Sequence, residues 1–135
     1  MENGLTVQRA ELETKAWGDV RHAFNTPYCA VSVLHVNDGF CCSRHRHRDR
    51  VNRFMVVSGV IDVIIYEDDG ETEFSRHALL KGDVFDVPAG TFHRFNVIQS
   101  GVVVEVYWPE TPDKTVRQDD IERLDVGGRI EELVA

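Results

Sequence analysis

From Cys29 to Tyr107 the chain alternates short runs of Val, Ile and aromatic residues with turns built on Gly, Pro and Asp. Cys29–Val36, Arg53–Val57, Val60–Tyr66, Val84–Val87, Phe92–Ile98 and Val102–Tyr107 read as strands. β-Branched side chains are stiff in a helix but pack well on a pleated surface. Asn37-Asp38-Gly39, Ser58-Gly59, Lys81-Gly82-Asp83 and Gln99-Ser100-Gly101 punctuate these runs, and Asp68-Asp69-Gly70 adds a hairpin turn of the Asp-Gly type. Short strands at about ten-residue spacing predict an antiparallel sandwich or small barrel. No stretch between residues 29 and 107 keeps a helical period. A chain of 135 residues suits one domain, 1–135, with its core at about residues 28–108.

Chemistry concentrates in two stretches of this pattern. Residues 40–47 read as one strand, so His45 and His47 share a face, with Cys41 and Ser43 behind them. Two neutral imidazoles on one face can share a metal ion. A third histidine, His93, follows the Pro88-Ala89-Gly90 turn where the chain reverses into a new strand.

The spacing of Gly39, His45, His47, Asn52 and Gly59 resembles the first motif of the cupin superfamily, and that of Gly82, Pro88, Gly90, His93 and Asn96 resembles its second. The resemblance implies an all-β fold, a cupin-like double-stranded β-helix (an antiparallel jelly roll), with a short helical or extended C-terminal tail. It also implies one divalent metal ion inside, held by His45, His47, His93 and Asn52. Where the first motif usually carries a metal-binding Glu, this chain has Asn52. Its amide oxygen either ligates the ion or the amide hydrogen-bonds a ligand. A neutral fourth group leaves the ion its full charge, which makes it a stronger Lewis acid and weakens its retention. Imidazole-rich sites suit Zn, Fe, Mn, Ni, Co or Cu.

Further pieces narrow the resemblance. Lys15-Ala16-Trp17-Gly18, Val56-Val57-Ser58-Gly59, Pro88-Ala89-Gly90-Thr91-Phe92-His93-Arg94, Val104-Glu105-Val106, Asp119-Asp120-Ile121-Glu122-Arg123 and Gly128-Arg129 look like the isomerase domain of type II mannose-6-phosphate isomerases. Two extra residues lie between His47 and Asn52 relative to that pattern. The nucleotidyltransferase domain of the larger members does not fit into 135 residues, so pyrophosphorylase activity is not implied. The implied function is aldose–ketose isomerisation of a sugar or sugar phosphate, a small-molecule substrate. The alternatives are an iron-dependent cupin oxygenase and a non-catalytic sugar- or metal-binding cupin.

Isomerisation needs a polarised oxygen pair, a base for a carbon-bound proton and an anchor for a phosphate. Arginine's planar fork suits the anchor. Arg44 and Arg48 are candidates for substrate binding, and the family pattern favours Arg48, Arg94 and Arg129. The run Arg44, Arg46, Arg48, Arg50 concentrates positive potential in an otherwise acidic chain. Glu105 is the first candidate for the base, with Asp49 and Lys81 behind it. Tyr66, Tyr107 and Trp108 line a sugar pocket or pack in the core. His22, His35 and His77 have no motif partners and read as surface or core residues.

With 15 basic and 23 acidic residues the net charge is −8, which argues against nucleic acid as a partner. No apolar run approaches the roughly 18–20 residues that cross a bilayer, so no membrane partner is expected. A polar, acidic start and three cysteines without a disulfide framework (Cys29, Cys41, Cys42) predict a cytoplasmic protein. Cys41 shares the His45 face in the strand reading and is expected near the metal. Unpaired sheet edges predict a homodimer, with residues 5–12 as an edge strand and Ile130, Leu133 and Val134 as a cover.

Overall fold

A computed structural model describes residues 4–133. Its strands are β1 (Glu11–Lys15), β2 (Gly18–Thr26), β3 (Cys29–Val36), β4 (Phe40–Cys41), β5 (His45–Arg46) and β6 (Arg50–Tyr66). They continue with β7 (Glu73–Leu79), β8 (Val84–Val87), β9 (His93–Pro109), β10 (Glu122–Arg123) and β11 (Gly128–Arg129), before one short helix, α1 (Ile130–Leu133).

Two 17-residue strands, β6 and β9, form the frame. They pair antiparallel from Arg50 opposite Pro109 to Ile65 opposite His93, with register shifts between Val56 and Ile61. At those shifts both strands turn a corner. Gly59 sits there with φ of 83°, and a Cβ on it would meet the Gln99 carbonyl oxygen at 2.6 Å. A Cβ on Gly101 would lie 2.1 Å from the Ser58 oxygen, so this crossing demands glycine on both strands. Before the corner, β6 carries β8 on its free edge, and β9 carries β3, then β2 and β1. Beyond it, β6 carries β7, and β9 carries β4 and β5, with β11 and β10 outside them.

The two halves of the frame therefore face one another as the sheets of a jelly roll. Phe54 and Phe95 come from opposite halves, and their rings meet edge to face at 5.9 Å. Alternation decides what enters the interior. On β3, Ala30, Ser32, Leu34 and Val36 are buried while their neighbours are more exposed. On β6, Arg50, Asn52, Phe54 and Val56 point inward. One end of the interior is apolar, filled by Leu34, Phe54, Val56, Ile61, Val63, Phe95, Val97 and Val103.

Several boundaries differ from the sequence reading. The core begins before residue 28, because Trp17 and Val20 are buried in it. Residues 5–10 form no strand; Leu5 and Val7 are exposed, and β1 begins at Glu11. The expected single strand over 40–47 is two short ones, interrupted at residues 42–44. The tail is extended first and helical last. Val134 lies outside the described residues. Among the described residues, no helix is long and apolar enough to cross a membrane.

Candidate metal centre

The polar end of the interior is built around three imidazoles. His45 on β5 sits directly across the ladder from His93 on β9, and their rings lie 4.4 Å apart. His47 follows β5, with its ring 5.0 Å from that of His45 and 5.5 Å from that of His93. One ligating nitrogen from each lies within 4.8 Å of the others.

Backbone carbonyls fix how these rings face. His45 Nδ1 lies 2.7 Å from the Ser43 oxygen, His47 Nδ1 2.8 Å from the Asp120 oxygen and His93 Nδ1 2.9 Å from the Thr91 oxygen. A carbonyl only accepts, so each Nδ1 carries the proton and donates. Each Nε2 is left with a lone pair, the arrangement that metal-ligating histidines adopt. Burial pushes the His47 pKa down to about 3 and the His93 pKa down to about 4, and holds His45 well below the usual imidazole range. The rings are therefore neutral near pH 7. His47 Nε2 is buried and has no partner of any kind.

Asn52, fully buried on β6, closes the cluster. Its Nδ2 donates to Glu105 Oε2 at 3.2 Å, which turns Oδ1 toward His93 Nε2 at 3.3 Å. Both atoms of that second contact are acceptors once His93 Nδ1 holds its proton. Two lone pairs facing each other at this distance, beside an orphaned third, are what a shared cation would satisfy. The donor set fits a divalent ion.

His45 of the cluster lines a cavity of about 550 Å³. Glu105 and Tyr107 on β9, Arg50 on β6 and Ser32 on β3 line it, and Glu13 and His22 form part of the far wall. Burial raises the Glu105 pKa against hydrogen bonds from Tyr107 and Asn52. Burial, with the Glu105 charge second, pushes the Tyr107 pKa well above 10 and keeps its hydroxyl a donor.

Other candidates from the sequence fall elsewhere. Arg44 and Arg94 adjoin His45 and His93 in sequence, so strand alternation turns them to the other face of the sheet. There Arg44 Nε and Arg94 Nη2 both donate to Asp125 Oδ2, at 2.8 and 2.7 Å, and neither arginine lines the cavity. Tyr66 lies with them, 5.7 Å below the Arg44 guanidinium. Arg48 and Arg129 are exposed, Arg129 lying against the Phe40 ring. Trp108 packs under Arg53, and Asp49 and Lys81 also lie outside the cavity. Cys42, not Cys41, lines the cavity, because the break between β4 and β5 shifts the alternation.

The sequence reading missed three features. Arg50 shares the inward parity of Asn52, a signal present in the alternation alone. His22 lines the cavity and bonds Glu13 at 3.0 Å. Asp120, from the C-terminal segment, holds His47 through its carbonyl, and its carboxylate accepts the Arg48 and Asp49 N–H groups at 2.7 and 2.9 Å. It thereby pins the two residues between His47 and β6.

No family model matches the sequence, and no curated protein matches it either. Solved structures do. The chain superposes over 85% of its length on oxalate decarboxylase from Bacillus subtilis, with a TM-score of 0.69 and 15% identity. It superposes over 87% of its length on CapF, solved with the inhibitor 3-isopropenyl-tropolone, with a TM-score of 0.66 and 23% identity. The fold is that of the cupins. The chain spans only 30% of that oxalate decarboxylase and 35% of CapF. At these identities the likeness concerns the cupin fold alone, and the chemistry has to be argued from the cavity.

Proposed function

We propose that this cupin is a metal-dependent aldose–ketose isomerase acting on a sugar or sugar phosphate. The observation that carries the reading is Glu105, a carboxylate with a raised pKa in the cavity wall, joined to the histidine cluster through Asn52. A divalent ion held by His45, His47 and His93, with Asn52 Oδ1 beside them, would polarise a carbonyl or a hydroxyl pair.

The chain's own groups account for the proton movements. A carboxylate whose pKa is lifted toward neutrality is a better general base than an ordinary glutamate. Glu105 takes the proton from the carbon beside the carbonyl and returns it to the former carbonyl carbon. The hydroxyl proton passes to the former carbonyl oxygen, so the substrate is rearranged with no net gain or loss. Tyr107, held protonated, supplies a hydrogen-bond donor beside that carboxylate. Asn52 fixes the Glu105 rotamer by donating from Nδ2. The cavity volume is in the range of small-molecule sites.

Metal-loaded protein should convert at least one member of a panel of hexoses, pentoses and their phosphates, and should exchange the transferred hydrogen with deuterated solvent. Glu105→Gln should lower kcat by at least about 100-fold with metal content unchanged. Full activity in Glu105→Gln, or no conversion of any panel sugar by the metal-loaded wild type, overturns the reading.

A further inference from the structure

One charge inside the cavity has no direct ion pair: Glu105 and Asp120 act on it only at longer range. Arg50 is only 4% exposed. Its guanidinium carbon lies 3.9 Å from the centre of the Tyr107 ring, and its Nη2 lies 3.2 Å from His47 Nδ1. Its Nε and Nη1 are buried and hydrogen-bond to nothing. Arg44 and Arg94 pair with Asp125, Arg46 with Glu122 and Arg53 with Asp86, while Arg48 and Arg123 have no ion pair among the described residues but are exposed to solvent. Among the described residues, Arg50 has no ion-pair partner.

Removing a guanidinium from water without a hydrogen-bonded counterion is costly, and stacking on an aromatic face offsets only part of that cost. A buried cation kept in this state is satisfied by something that arrives. The His47 ring that Arg50 touches carries the orphaned lone pair on its Nε2. These two unmet groups are opposite in kind: the imidazole calls for a cation, the guanidinium for an anion. Asn52 sharpens the demand, since a neutral amide adds no negative charge to balance either one.

The geometry points to an anion subsite at Arg50, beside the histidine cluster, that takes the carboxylate of a small polyhydroxylated acid whose remaining chain extends into the cavity. A carboxylate fits better than a phosphate. One guanidinium matches a monoanion, whereas Glu13 and Glu105 line the same cavity and oppose a dianion. Lys15 is engaged by Glu13 at 2.5 Å, and Arg123, the other cation of the lining, is exposed to solvent. The inference deepens the isomerase reading, and rests on it for the ligand's fate, by adding to the substrate class a sugar acid that carries its carbonyl apart from the carboxylate.

Calorimetric titration of the full chain, metal-free and loaded with Zn²⁺ or Mn²⁺, tests this with gluconate, glucose and glucose 6-phosphate as probes. Gluconate should bind at least about tenfold more tightly than glucose and more tightly than glucose 6-phosphate. Arg50→Met, which keeps an apolar stem against Tyr107, should lose that preference with metal content and far-ultraviolet circular dichroism unchanged. Arg50→Lys, which keeps the charge without the planar fork, should retain part of it. Equal binding of gluconate and glucose, no binding of any probe, or undiminished gluconate binding in both variants overturns the subsite. Preference for glucose 6-phosphate overturns the carboxylate assignment. Binding is read without turnover, so failure of the isomerase assay and failure of this titration are separate results.

Discussion

The two ends of one barrel interior are built by the same strands and filled with opposite chemistry. At the apolar end, Leu34, Phe54, Ile61 and Val103 are almost completely buried, and the space left between them is too small for water. At the polar end, the same β6 and β9 contribute Arg50, Asn52, His93, Glu105 and Tyr107, and a cavity opens. Phe54 and Asn52 are two residues apart on one strand, both fully buried, and belong to different ends. Alternation therefore decides only that a side chain points inward. The residue type decides whether that position stabilises the fold or equips a site. Close packing at one end offsets the cost of unmet donors and acceptors at the other.

Two substitutions on β6 sharpen this contrast. Phe54→Ala removes a ring packed against Phe95 and His93, and should cost about 3–5 kcal/mol in chemical denaturation. A cost under about 1 kcal/mol would mean that the apolar end is not the source of stability. Asn52→Glu acts two residues away and should change metal affinity first. With Oδ1 as a ligand, a carboxylate there tightens binding, read as a lower Kd by calorimetry, with stability preserved in the loaded protein. If the amide only braces His93 and Glu105, the variant places a second carboxylate against Glu105. It then loses about 1–3 kcal/mol without binding metal more tightly.

How much of this was legible in the sequence follows from the range of each interaction. The strand rhythm and the spacing of His45, His47 and His93 are local patterns, and they foretold both the β fold and the histidine cluster. Alternation also carried more than was taken from it. Residues next to a ligand on a strand face away, which is why Arg44 and Arg94 point out, and Arg50 shares the face of Asn52. The corner at Ser58–Val60 is written locally only as Gly59, although it also needs Gly101. Asp120 and Asp125 were not legible, because they act on residues 73 and 81 positions earlier through hydrogen bonds that leave no local period. Trp17 and Val20 joined the core from a stretch whose polar neighbours hide any apolar alternation.

The account turns on whether the polar end holds a metal ion through the inward Nε2 atoms. Metal analysis and calorimetric titration of wild type and of His45→Ala/His47→Ala, each stripped and reloaded, test this directly. The account predicts one divalent ion per wild-type chain, none retained by the double variant, and the same β-sheet circular dichroism for both. A double variant that still holds one ion per chain would place the metal elsewhere and contradict it.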